Sequence, residues 1–333
     1  MRAAIFQALG QRLEVHDLPD PRPGPEELIV GIARCGICGS DLHMTQDATF
    51  GLTAGSVLGH EFAGEVIAIG RDVSGFAVGD RICVPPMQGC GQCPACRAGE
   101  PGHCPDMVLI GGGYGELASV LARQAIRLPI GVSMADGALI EPLAVALHGV
   151  RKSALQPGDK VVVLGAGPIG LATAFWARRM GAAQVLVTDL AGWQQERAMA
   201  MGATDFLCSE GDHVAQVDAM LGGKADIVFE CVGAPGLIAQ AVEHVRPKGE
   251  VLVQGLCTRP DSFIPFRAIM KEVRIQFSNF FRIAEYQASL DMLCSGAAEP
   301  RLMITDTITL DDLPDTFEAL RKRTHQCKVQ IQH

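Results

Sequence analysis

Lys160-Val161-Val162-Val163-Leu164-Gly165-Ala166-Gly167-Pro168-Ile169-Gly170 is the stretch that decides the fold. Its opening is a continuous apolar run, as suits a strand covered on both faces. The glycines have G-x-G-x-x-G spacing, and a helical pattern continues from Pro168 to Met180. In that strand–turn–helix setting Gly165 allows a tight turn, and Gly167 lets the backbone approach a pyrophosphate at the helix N-terminus. Gly170 permits close packing of helix on strand. With Pro168 and Ile169 these residues form a candidate dinucleotide site. A second apolar run, Gln184-Val185-Leu186-Val187-Thr188, ends at Asp189. A carboxylate there can accept both ribose hydroxyls. It would repel a 2′-phosphate, and Leu190-Ala191-Gly192 offers no arginine to bind one, so NAD is expected rather than NADP. A glycine-rich structural turn beside a surface aspartate is the bland alternative, and the joint register of strand, glycines, helix and acid speaks against it.

Outward from this stretch, strand-like runs at 226–231, 250–254 and 274–277 alternate with helical segments at 193–201 and 235–245. Repeated βαβ units predict an α/β fold with a doubly wound parallel sheet. Before about position 140 the texture differs. Short β-type runs such as 27–33 and 62–69 are broken by Gly and Pro, which reads as a mostly β region with long loops. After about Arg282 come a helix at 284–293 and mixed structure ending in Lys328-Val329-Gln330-Ile331. That tail is too small to stand alone and is expected to pack back on the N-terminal region. The expected domains are 1–143, 144–282 and a return at 283–333.

A chain of 333 residues exceeds what one core usually fills. Its net charge of −9, with no long basic run, argues against nucleic acid as a partner. Met1-Arg2-Ala3-Ala4-Ile5-Phe6-Gln7 lacks the apolar core of a secretory signal. The most apolar stretch, 161–177, is interrupted by glycine and proline, so no membrane association is expected. A cytoplasmic location follows as the expectation.

Of the 12 cysteines, those at 35–38 and 83–104 are clustered, which in a reducing compartment points to metal rather than disulfides. Cys208, Cys231, Cys257, Cys294 and Cys327 are scattered and expected to be buried small apolar residues. Cys90, Cys93, Cys96 and Cys104 lie in one short loop bearing Gly and Pro. Four thiolates complete a closed tetrahedral shell, which is a structural zinc site. His103 could substitute as a ligand but is expected to be a bystander. A second set is dispersed: Cys35-Gly36-Ile37-Cys38-Gly39-Ser40-Asp41-Leu42-His43, Gly59-His60-Glu61 and Glu141-Pro142. Read by themselves, Cys35 and Cys38 could be a redox pair and His60 a hydrogen-bonded core histidine. Equally, Cys, His and a carboxylate supply the three protein ligands of an open catalytic zinc.

These motifs, in this order and over essentially the whole chain, make the sequence resemble the zinc-containing medium-chain dehydrogenases, in their sorbitol and threonine dehydrogenase branch. The resemblance implies a GroES-like catalytic domain around the Rossmann domain and two zinc ions per chain. It implies hydride transfer from a secondary alcohol, of polyol type, to NAD, with a threonine or a simple secondary alcohol as alternative substrate. It makes Cys38 and His60 ligands of the catalytic zinc, with Glu61 as the third in polyol-type enzymes. Glu141 would hold the zinc-bound water or bind zinc transiently, and the choice between the two glutamates stays open. Asp41 would orient the imidazole, Ser40 would accept the hydroxyl proton, and His43 would pass it to solvent. Arg282, in Asn279-Phe280-Phe281-Arg282, resembles a substrate-binding arginine of polyol dehydrogenases, although Ile283 stands where tyrosine is usual. A solvated arginine ending a strand is the alternative. Homotetramers built on dimers are common in this branch. Two rivals compete: a non-enzymatic zinc module, which leaves the second ligand set unexplained, and a zinc-free quinone reductase, which would lack both sets.

Overall fold

The computed structural model describes residues 1–208, 213–322 and 325–333. Two compact units emerge, Pro142–Phe281 and the combination of Met1–Glu141 with Arg282–His333. The chain leaves the first unit after Glu141 and re-enters it at Arg282.

The Pro142–Phe281 unit is a six-stranded, all-parallel sheet. Its strands in chain order are Lys160–Leu164, Gln184–Asp189, Asp205–Cys208, Ala225–Glu230, Val245–Val253 and Arg274–Phe277. Numbered in that order they lie 3-2-1-4-5-6 across the sheet. Val161, Val162, Val163 and Leu164 are all buried, which explains the unbroken apolar run. The order reverses between the first and fourth strands, and a crevice at such a reversal is where doubly wound sheets bind nucleotides. Helix Pro168–Arg179 starts there, with Gly167 as its N-cap and Pro168 in its first turn, where a missing N–H costs nothing.

The other unit is built on a seven-stranded, mostly antiparallel sheet. Glu27–Gly36 lies at its centre, paired with Glu61–Ile69 on one side and Lys328–Gln332 on the other. Phe62, Ile82, Phe317, Val329 and Ile331 belong to its core. The tail thus adds a strand beside the longest strand of its unit. Helix Met134–Gly137 is tied to the later chain by Arg301, whose Nε and Nη2 donate to the two carboxylate oxygens of buried Asp136 at 2.8 and 2.9 Å. Helix Ile140–Lys152 carries Glu141 in its first turn, a helix that the β texture before 140 does not announce. No described helix is long and apolar enough to cross a membrane. None of the five scattered cysteines is buried as expected: Cys208 and Cys294 are exposed, each ending its element on the solvent side, and Cys231, Cys257 and Cys327 are only partly covered.

Candidate functional site

The four-cysteine loop brings its sulfurs together. The thiols of Cys90, Cys93, Cys96 and Cys104 all lie within 4.8 Å of one another. Zinc–sulfur bonds of about 2.3 Å in a tetrahedron require sulfurs roughly 3.8 Å apart, so the set fits that ion. Backbone amides prepare it: Cys90 N donates to Cys104 Sγ, Cys93 N to Cys90 Sγ and Cys96 N to Cys93 Sγ, at 3.3–3.4 Å. Amide donors, Gln92 first, bring the Cys90 thiol down to about 7. At Cys96 an amide of Gly91 also favours the thiolate, but burial and the neighbouring sulfurs outweigh it and push the thiol up to about 11. Four thiolates so close need a cation among them. His103 points elsewhere, mostly exposed with Nδ1 3.9 Å from Glu100.

The dispersed set converges in the same unit. Cys38 ends the turn after strand Glu27–Gly36, and His60 and Glu61 open the neighbouring strand. Their ligand atoms lie within 4.8 Å of one another, a Cys–His–carboxylate trio of the kind that leaves a zinc coordination position open. Cys35 does not join them; its buried thiol is pushed well up by burial and faces Gly59 and Gly113. Helix Gly39–Met44 follows Cys38 and carries Ser40, Asp41 and His43. The Ser40 hydroxyl donates to Cys38 Sγ at 3.2 Å, and His43 is exposed.

Asp41 is fully buried beneath His60, with Oδ1 3.2 Å from the imidazole Nδ1. Burial alone would raise its pKa, but the His60 charge and hydrogen bonds from His60, Tyr114 and the Cys38 amide hold it below the usual carboxylate value. Conversely, burial works against a proton on His60, and Asp41 more than compensates. With Nδ1 facing Asp41 at 3.2 Å, Nε2 is the nitrogen left for a metal.

Two residues to which the sequence assigned no role complete the centre. Lys328 Nζ donates to both carboxylate oxygens of Glu61 at 2.7 Å and to the Ile37 carbonyl at 3.0 Å, with both side chains buried. The pair crosses Gly36, where a Cβ would stand 2.1 Å from Glu61 Oε2. Tyr114 donates to Asp41 Oδ2 at 2.5 Å. Each joins segments far apart in the chain, so no local spacing signals it. Glu141 stays outside the trio but is buried close enough to sense it. Burial, reinforced by Glu61 and opposed by His60 and Lys328, pushes its carboxyl up to about 7.

Arg282 caps helix Ile283–Cys294 and pairs with Glu100 of the cysteine loop, while Ile283 N donates to the Gly99 carbonyl at 2.9 Å. In the sheet unit of the dinucleotide motif, Gly165 takes φ +97°, and a Cβ on Gly170 would fall 1.8 Å from the Gly165 carbonyl oxygen. Gly167 has open space above it. Asp189 accepts from Ala166 N and Ala191 N at 2.7 Å, which fixes the carboxylate against the glycine turn.

Residues 24–130 match the alcohol dehydrogenase GroES-like domain and residues 168–295 the zinc-binding dehydrogenase domain. The chain is 30% identical to the sorbitol dehydrogenase of Bacillus subtilis (strain 168), covering 99% of this chain and 97% of that protein. With the (R,R)-butanediol dehydrogenase of the same organism it shares 32% identity over 96% of each. Among solved structures, a Sinorhizobium meliloti 1021 protein described as a zinc-binding dehydrogenase and bound to NADP superimposes with a TM-score of 0.91. It is 32% identical, covering 100% of this chain and 99% of that one.

Proposed function

Because this chain belongs to the zinc-containing medium-chain alcohol dehydrogenases, in their sorbitol dehydrogenase-like branch, we propose that it oxidises a polyol-like secondary alcohol to a ketone with NAD. Zinc-dependent, nicotinamide-linked alcohol oxidation is the family's chemistry. The observation that carries the residue assignment is the convergence of Cys38, His60 and Glu61, with the Ser40 hydroxyl on the Cys38 sulfur.

In this reading Cys38, His60 and Glu61 hold the catalytic zinc, and Cys90, Cys93, Cys96 and Cys104 hold the structural one. Bound there, zinc would supply Lewis acidity toward an alcohol oxygen and NAD would supply the hydride acceptor. Ser40 takes the substrate's hydroxyl proton, and exposed His43 delivers it to solvent. Lys328 holds the Glu61 carboxylate in place by bonding both of its oxygens. Glu141, its carboxyl raised by burial, is the reserve carboxylate beside the trio. Gly165, Gly167, Pro168, Ile169 and Gly170 receive the pyrophosphate, and Asp189 the adenosine ribose. The charge of Asp189 and the lack of an arginine just after it support NAD over NADP, even though one structural relative carries NADP.

A cytoplasmic location suits cysteines clustered for metal rather than for disulfides. Self-association is supported by exposed Ile264, Phe266, Ile269, Met270 and Phe277 along the last helix and edge strand of the parallel sheet. Sedimentation velocity reads it directly. The functional reading is tested by steady-state turnover on sorbitol, xylitol, threonine and simple secondary alcohols, each with NAD and NADP, beside zinc quantification. Turnover confined to simple alcohols would remove the polyol assignment, and preference for NADP would remove the role given to Asp189.

A further inference from the structure

A buried carboxylate depends on every donor it has, and Asp41 has one unusually close. It is fully buried, and among the described residues its Oδ2 receives two donors: the Tyr114 hydroxyl at 2.5 Å and the Cys38 amide at 3.2 Å. Its Oδ1 faces the His60 imidazole. Tyr114 is itself immobilised. Its amide donates to the Leu58 carbonyl at 3.0 Å, its carbonyl accepts from Ala4 N at 2.9 Å, and Gly113 N donates to the Gly59 carbonyl at 2.9 Å. The ring meets Phe317 edge-on, with centroids 6.2 Å apart, and passes over Gly59 where a Cβ would stand 2.4 Å from Tyr114 Cδ1. Tyr114 is thus bolted to the segment Leu58-Gly59 that leads into His60, and its phenol reaches across to the carboxylate under that same histidine. Burial, then the Asp41 charge, keeps the phenol protonated, so it remains a donor.

We propose that Tyr114 is a positioning residue for the metal-facing imidazole: its hydroxyl fixes Asp41, and Asp41 fixes the orientation and tautomer of His60. The inference rests on the reading of His60 as a metal ligand and goes beyond it. A phenylalanine of the same shape would fill the core equally well but leave Oδ2 with one long amide bond. Outer partners of metal-bound histidines typically change metal affinity about 10–100-fold when removed.

The experiment substitutes Co²⁺ at both metal sites of the whole chain and follows its removal by a chelator, wild type against Tyr114→Phe. Expected is a roughly 10-fold faster loss from the Cys38–His60–Glu61 site, with a shifted cobalt absorption band and unchanged release from the four-cysteine site. That second site is the internal control, since a general loss of stability would speed both. Parallel loss at both sites, or no difference, overturns the proposal. If the variant does not fold, the two tyrosines of this chain, Tyr114 and Tyr286, allow a second reading. In 3-fluorotyrosine-labelled protein, with Tyr286→Phe for assignment, the ¹⁹F resonance of Tyr114 should move when the His60 site is emptied, and an unmoved resonance overturns the proposal. A wild-type chain that holds only the four-cysteine metal overturns the ligand reading itself, and shows this before any variant is made.

Discussion

Lys328 Nζ is equidistant from the two carboxylate oxygens of Glu61, 2.7 Å from each, and the two side chains are 2% and 1% exposed. Breaking so buried a pair leaves a charge without compensation, which typically costs about 3–5 kcal/mol. Lys328→Met should lower unfolding free energy by that order in urea titrations of the zinc-free protein. Adding Glu61→Gln should recover much of the loss. A single variant as stable as the parent would mean that the pair is not closed in solution.

The two cysteine sets should respond differently to removal of one sulfur. Cys38→Ser is expected to lower zinc content by one atom per chain and abolish turnover. Cys93→Ser should also lose one zinc, but its first symptom should be a lower melting temperature. Elemental analysis with parallel thermal scans checks both. Full activity in the Cys38 variant would refute its assignment.

Asp136 offers a pH prediction away from any metal. Burial would raise its pKa, but hydrogen bonds from Arg301 and Ser133 outweigh that and hold it below the ordinary carboxylate value. A depressed carboxylate stabilises the fold above its unfolded pKa, and the stabilisation fades as pH falls through the lower folded value. Asp136→Asn should therefore cost most near neutrality, about 1.5–3 kcal/mol. The gap to the parent should narrow below roughly pH 4. Denaturant melts across that range read the difference; a constant gap would contradict the ionic role.

Arg282 caps a helix, and a polyol contact is the second role proposed for it. Its guanidinium holds Glu100, yet its side chain is 56% exposed. Arg282→Ala should cost little stability, below about 1 kcal/mol for so exposed a pair. If a charged hydrogen bond to substrate is lost, KM for a polyol should rise roughly 10-fold, with that for 2-butanol unchanged. Equal KM values for both alcohols before and after substitution would leave Arg282 with capping alone.

Legibility followed sequence distance. The glycine turn, Asp189 and the four cysteines can be read because their geometry is set by residues within one strand, turn or loop. Cys38, His60 and Glu61 required a family resemblance, since the strand register that joins Gly36 to Glu61 is not visible in spacing. Lys328 under Glu61, Tyr114 under Asp41 and Arg301 on Asp136 were not readable at all. Each bond crosses at least 73 residues of chain, and its donor would be ordinary at a surface position. The strand Asp205–Cys208 went unread for another reason: it is a four-residue strand at the sheet's margin with only partly covered side chains.

The pairing of Lys328–Gln332 with the central strand Glu27–Gly36 also sets an order of assembly during synthesis. The Pro142–Phe281 unit is one uninterrupted stretch, so it can finish folding while later residues are still being made. Its companion cannot. Until the ribosome has delivered Lys328, Glu61 lies in a half-built sheet with its cation missing, and the trio around Cys38 lacks the charge that steadies it. The strand Lys328–Gln332 acts as a latch closed only after the earlier strands of its sheet have been made, and metal loading of the proposed site should await it.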